Sequence, residues 1–334
     1  MELFGVANQQ ERSALVVEDG SIVYQRDTHE VWVSLTESGA THSVVRLMDL
    51  PEPKEQHGFE ACDGLLYAVC GITTGATHSK TMYAYAPTTN SWTRRTDAPA
   101  ALQSPILRTV GEKLYLIGGY DSYIPIKYKT CYEYAPGADS WVRKADMPTA
   151  REDAASAVVG GKIYVFGGLT NPGHTFAASI DIYDPASNTW ETRSWAMPRA
   201  LGDSGVAHNG KIYLIGGTAD MSHYPTDLRA SSETSVYDPA TGTWTTGAVV
   251  PVPACYREIE ELGGRLYAMS GTTQTVTTYT SDAIIYDPVT DVWDVLPDLV
   301  YAARGAGLTK CGNSLYLSGG FNGAYLNWLY RVRR

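Results

Sequence analysis

The chain has 334 residues, with 26 basic and 36 acidic side chains for a net charge of −10; 44% are hydrophobic and 19% charged. That composition builds a sizeable core and excludes disorder. An acidic balance without any lysine or arginine run excludes nucleic acid and anionic membrane as main partners, and no apolar stretch reaches the ~18 residues of a spanning helix.

In chain order, ELFGV (2–6) reads as a short strand, ALVVEDGSIVY (14–24) as a hairpin, and EVWVSLTE (30–37) as a further strand. VRLMDLP (45–51) lines up with VRKADMP (142–148), which sets Val44 against Trp141. From there a repeat dominates. Apolar runs ending at glycine recur as LYAVCG (66–71), LYLIGG (114–119), IYVFGG (163–168), IYLIGG (212–217), LYAMSG (266–271) and LYLSGG (315–320). Their tyrosines are 48, 49, 49, 54 and 49 residues apart. Five runs are followed by a second element: YAPTTNSW (85–92), YAPGADSW (134–141), YDPASNTW (183–190), YDPATGTW (237–244) and YDPVTDVW (286–293).

Each unit therefore predicts four short strands, A to D. Strand A leads through a tight turn into strand B, which stops at the glycines; strand C ends at the tyrosine, and the tryptophan opens strand D. The proline cannot donate to a ladder and belongs in the C–D turn, while the tyrosine and tryptophan pack between neighbouring sheets with their polar tips partnered. No segment carries sustained helical periodicity, so the chain is all-β.

Double glycine, then tyrosine, then tryptophan resembles the kelch repeat, the four-stranded blade of a β-propeller. The resemblance covers essentially all of residues 1–334 and implies one propeller domain. Dividing 334 residues by a repeat of about 48 gives seven blades, residues 1–50 counting as a degraded repeat and ELFGV closing the ring as an N-terminal strand; the alternative is six blades.

Catalytic signatures are sparse. There is no Gly-x-Ser-x-Gly elbow, and the seven histidines are never closer than 13 residues, so no local metal motif exists and neither metal nor cofactor is expected. The five cysteines form neither a disulfide framework nor a Cys-x-x-Cys pair. With no basic-then-apolar leader in MELFGVANQQER and no Asn-x-Ser/Thr sequon, they predict a reducing, cytoplasmic setting and a monomer.

The kelch resemblance implies that the segments leading into strand A and the loops after strand B share one face around a central channel, where a repeat scaffold carries function. Candidates for proton transfer there are Glu152, Asp153, Glu258 and His223, with Arg257 stabilising an anion. Candidates for ligand binding are Arg12, His57, Tyr123, Arg151, His174, Tyr224, Tyr256, Tyr301 and Arg304. Against this stands a structural reading in which the arginines pair with neighbouring acids and the loop histidines are merely solvated. Two functions follow. One is a pocket for a small polar or aromatic molecule, extending to metal-independent isomerase, lyase or cyclase chemistry; the other, the commoner role implied by the resemblance, is an interaction module that takes an acidic peptide or protein. A closed funnel under ~1,000 Å³ favours the first, and a rim with exposed aromatics the second.

Overall fold

The structure, a computed structural model, describes residues 22–24, 31–33, 35–37, 40–170, 175–194, 204–218, 229–273, 275, 277–296 and 301–333. Six antiparallel sheets dominate it. Blade 1 comprises Gly58–Cys62, Leu65–Val69, Met82–Ala86 and Ser91–Arg95. Blades 2 to 5 repeat that order, with inner strands Ile106–Val110, Ala155–Val159, Gly205–His208 and Glu258–Leu262. In blade 6 the strands Gly307–Cys311, Ser314–Ser318 and Leu329–Arg333 are completed by Ala40–Arg46 from near the N-terminus. Val44 lies opposite Val332 in that pairing.

Among the described residues six such sheets are present; residues 1–21, assigned to a degraded further repeat, lie outside them. Residues 40–46 do serve as a D strand, with Val44 in the tryptophan position, but of the last blade and not of a degraded first one. Among the described residues Ile22–Tyr24 pairs with Val31–Val33, and Leu35–Glu37 adds a fifth strand outside Ala40–Arg46. The proposed clasp at residues 2–6 lies outside the described residues. Spacing counted a strand without showing which sheet it joins, because sequence distance does not constrain where an N-terminal strand pairs.

The core is divided among the seams. Six apolar clusters each join one pair of neighbouring blades, and the last sets Tyr316 and Leu329 of blade 6 against Phe59, Leu66 and Tyr85 of blade 1. Inner strands approach so closely there that a Cβ on Gly307 would stand 2.3 Å from Cβ of Phe59. Burying each large apolar side chain contributes roughly 1.5–3 kcal/mol, so stability is spread over the seams and the ring must close to realise it.

The repeat signature also carries a polar staple. Tyr183 donates from its hydroxyl to Asn188 (2.8 Å), and the same amide oxygen accepts the Ala145 N–H of the preceding blade (2.9 Å). Trp190 Nε1 donates to the carbonyl of Ala145 (2.8 Å), so one residue of blade 2 is gripped by both its backbone groups. Asn90 with Trp92 holds Met48, Asp139 with Trp141 holds Thr96, and Asp291 with Trp293 holds Ala248 in the same way. Asn90, Asp139, Asn188 and Asp291 sit at φ between 47° and 57°, a left-handed conformation that asparagine and aspartate tolerate. Blade 4 has Gly242 at this position and lacks the side-chain acceptor.

Candidate functional site

The segments leading into strand A are fixed by the double glycines. A Cβ on Gly168 would lie 2.6 Å from the Glu152 carbonyl, so only glycine lets the two backbones cross. The residue after the glycines then pairs with the lead-in segment: Glu55 with Ile72, Gln103 with Tyr120, Glu152 with Leu169, Cys255 with Thr272, and Arg304 with Phe321. Directly beyond, Gln56, Ser104, Asp153, Tyr256 and Gly305 all turn left-handed, at φ 50°, 47°, 49°, 53° and 58°. They are joined rim-wise in part, the Gln56 N–H donating to Gly305 O (2.7 Å) and the Ser104 N–H to Gln56 O (2.9 Å).

These five residues surround the mouth of the central channel, a cavity of about 80 Å³ that His57 and Glu258 also line. Below it, a cavity of about 70 Å³ shares His57, Pro105, Ala154 and Glu258 and reaches Arg108. A third, of about 170 Å³, is lined by Glu60, Arg108 and Glu260 among apolar neighbours. Among the described residues, carboxylates thus outnumber cations along the axis. Arg108 donates to Glu60 (3.2 Å) and to the Ser156 carbonyl (3.0 Å), and Ser204 donates to Glu258 (3.1 Å). Burial pushes Glu60 up to about 7 against the pull of Arg108. Burial likewise raises Asp153, Glu258 and Glu260, since the charged form loses water that few partners replace. His57, buried and influenced by the Lys54 charge, is pushed down to about 3 and is neutral.

Of the residues nominated from sequence, the mouth brings together Asp153, Glu258, His57 and Tyr256. Glu152 is buried beside it, 3.5 Å from Lys127 of the preceding blade, its titration raised by burial and by Asp153. The arginines sit elsewhere in their segments. Arg151 is fully buried in blade 3, donating to Gly167 O (2.9 Å), Ser179 Oγ (3.0 Å) and Asp181 (2.5 Å). Arg257 is buried against the carbonyls of Ala268 (3.3 Å) and Asp282 (3.5 Å) and leaves Nε and Nη2 unpartnered. Arg304 pairs with Glu55 (2.8 Å) across the blade 6–blade 1 seam and covers the Phe321 ring. Tyr301 is a core residue whose hydroxyl donates to Gly319 O (3.0 Å) while its ring packs on Trp328 and Tyr330. Arg12, His174, His223 and Tyr224 lie outside the described residues.

Tyr123 stands on the rim, in a hairpin (Tyr120–Asp121 with Ile126–Lys127) after strand B of blade 2. It is 68% exposed, and Ile124 beside it 61%. The hairpin is anchored on His78 of blade 1, which accepts the Ser122 N–H (3.3 Å) and meets Tyr120 and Tyr123 edge-on. A second rim cluster joins Tyr279, Phe321 and Tyr325.

Glu60, Arg108 and Glu260 were not foreseen. Their signal was a charge inside an inner strand, FEAC, ILRT and EIEEL, where the equivalent residues of other blades are Ala157, Val206 and Thr309. Among the described residues no cluster of histidine, cysteine or acid is arranged to hold a metal ion, and no helix is long and apolar enough to cross a membrane.

Comparison with known proteins agrees with this architecture. The chain is 33% identical over 99 residues to Kelch-like protein terF of Aspergillus terreus, and 32% identical over 94 residues to Kelch-like protein 15 of Gallus gallus. Each match spans 28% of this chain, and only 21% and 19% of those relatives. Among solved structures, "Structure of YjhT" superposes with a TM-score of 0.70 at 17% identity, covering 85% of this chain and 95% of that one; this likeness is one of fold. The family model described as KLHDC2/KLHL20/DRC7 Kelch-repeats domain matches residues 106–320. That is more than half of the protein, and the chain belongs to the kelch-repeat family.

Proposed function

We propose that the chain is a protein-interaction module that engages its partner on the mouth face of the propeller. The observation that carries this reading is the contrast between channel and rim. Among the described residues the individual cavities along the channel measure about 80, 70 and 170 Å³, each below the roughly 300–1,000 Å³ of small-molecule pockets, whereas Tyr123 and Ile124 are held outward on an anchored hairpin. Exposed aromatic and aliphatic side chains on a rigid support are what an interface hot spot requires.

Of the arginines nominated to receive an acidic peptide, Arg151, Arg257 and Arg304 are buried or engaged with protein groups, and the described lining of the channel is acidic. A partner offering apolar and basic side chains therefore fits this face better than an acidic one. The convergence of Asp153, Glu258 and His57 in one cavity favours a second reading, a pocket for a very small polar ligand with acid–base chemistry.

Capture experiments with immobilised protein separate the two. Tyr123→Ser combined with Ile124→Ser should abolish recovery of a partner that the wild type retains, while Val289→Ser, in a C–D turn at the opposite end of the strands, should not. Equal recovery by both variants, or no partner together with stabilisation by a polar metabolite in a thermal-shift screen, would overturn the interaction reading.

A further inference from the structure

We infer that Asn322 is a site of spontaneous covalent modification on the mouth face, its side-chain amide converting to aspartate and isoaspartate through a cyclic imide formed with Gly323. The inference stands apart from the interaction reading above.

The chemistry needs an asparagine amide, a following backbone nitrogen that can reach its carbonyl carbon, and room around both. The chain has two Asn-Gly pairs, Asn209–Gly210 and Asn322–Gly323, and glycine hinders its own nitrogen least because it has no Cβ. Asn322 and Gly323 lie in the tip between Phe321 and Tyr325, which bridge each other after strand B of blade 6. Asn322, Gly323 and Ala324 are all exposed. The backbone bonds of the tip run from the Asn322 N–H to Ala324 O (3.2 Å) and from the Leu326 N–H to Gly320 O (2.9 Å), and neither engages the Gly323 N–H. Around Gly323, at φ 102°, even an added Cβ would meet nothing within 4 Å. The tip is closed by that single bridge, so the Gly323 nitrogen can turn onto Asn322 Cγ without breaking a strand ladder.

The fold holds the other pair shut. Asn209 and Gly210 are the two-residue turn between the first strands of blade 4, and His208 and Lys211 pair directly across it. Both turn residues are left-handed, at φ 49° and 75°, the signature of a type I′ hairpin, and Asn209 Nδ2 donates to His208 Nε2 (2.9 Å). Bringing the Gly210 nitrogen onto the Asn209 amide carbon means opening the turn that sets the register of the sheet. Asn90 and Asn188 are protected in another way. Their side-chain oxygens accept two hydrogen bonds each in the staples between blades, and the residues after them are Ser91 and Thr189.

Water is the only co-reactant. The Gly323 nitrogen gives its proton to solvent base and bonds to Asn322 Cγ; the Cγ–Nδ2 bond breaks, and ammonia carries the amide nitrogen away. The cyclic imide then takes up water at either carbonyl. Opening at one restores the ordinary backbone with an aspartate side chain, and opening at the other leaves isoaspartate, whose backbone runs through the former side chain. Either product adds a negative charge to the rim. The second also lengthens the tip by a methylene between Phe321 and Tyr325, whose rings meet at 5.1 Å, so the aromatic cluster beside the mouth changes shape as the protein ages.

The test incubates the folded full chain in mildly alkaline buffer at physiological temperature, beside a sample unfolded in urea. Peptide mapping by mass spectrometry follows both Asn-Gly pairs, and an isoaspartyl methyltransferase with labelled S-adenosylmethionine reports isoaspartate. In the folded protein the peptide containing Asn322 should gain aspartate and isoaspartate at least ~10-fold faster than the peptide containing Asn209, the factor that an opening cost of about 1.4 kcal/mol imposes on the closed turn. In urea the two rates should converge to within about threefold, since the turn is then lost. The rate at Asn322 should rise with pH, because the attacking nitrogen must lose its proton. Asn322→Gln, shown by its melting curve to be folded, should lack the acidic isoform that the folded wild type accumulates on isoelectric focusing. An unmodified Asn322 peptide in the folded protein, equal rates at the two pairs there, or the same isoform in Asn322→Gln would overturn the inference.

Discussion

At the scale of single residues, burial decides which charges are structural. Arg151 satisfies its guanidinium within blade 3 against Asp181, so Arg151→Met leaves a buried carboxylate without its cation and should cost about 3–5 kcal/mol in urea unfolding. Arg257 has two long carbonyl contacts and two unpartnered nitrogens. Arg257→Met should therefore change stability by less than about 1 kcal/mol or raise it. Similar large losses in both variants would contradict this division. Glu60 gives a pH signature. Its folded value of about 7 lies above the ordinary 4.5 because burial disfavours the anion. The protonated form is thus favoured on folding, and that stability is present below about 4.5 and lost as pH rises through about 7. Glu60→Gln cannot ionise, so it should exceed the wild type by up to about 3 kcal/mol near pH 8 and match it near pH 5. An equal difference at both pH values would show that the Arg108 pairing outweighs desolvation.

Structural elements show what the repeat signature is for. The tyrosine, the asparagine or aspartate five residues on, and the tryptophan seven residues on act together to hold one residue of the preceding blade. Asn188→Gly keeps the left-handed backbone but removes the acceptor for Tyr183 and Ala145; it should cost about 1 kcal/mol, with Asn188→Asp restoring most of it. No loss in the glycine variant would mean the staple follows from packing and contributes nothing. The strand Ala40–Arg46 carries a larger share, since it completes blade 6 beside Leu329–Arg333. Deleting residues 1–50 should expose Val332 and its neighbours, broaden the thermal transition and permit binding of an apolar dye, whereas an unchanged sharp transition would contradict the closure. The repeat period made strands A to D and their turns readable. The partner of residues 40–46 was not readable, because an N-terminal strand and a degraded first blade share one local pattern.

Over the whole molecule, what was legible was the ring and its mouth face, because lead-in segments and loops after strand B converge wherever the blades do. Asp153, Glu258, His57 and Tyr256 meet there as the topology requires. The direction of side chains was not legible. Arg151 and Arg257 follow the same segments yet turn into their own blades, and Tyr301 into the core, since a lead-in segment that crosses the glycines must bury one side. The acidity of the channel was legible only as charges within inner strands, Glu60 and Glu260, whose counterparts are Ala157 and Thr309. With a net charge of −10, association with a basic partner should also slow as ionic strength rises.

The most direct measurement is site-specific photo-crosslinking in cells that produce the protein, with the photoreactive residue placed in turn at Tyr123 on the rim and at Val289 on the opposite face. A discrete protein adduct is expected from position 123 that Ile124→Asp eliminates, and none from position 289. Adducts of equal yield from both positions, or none from position 123, would contradict it.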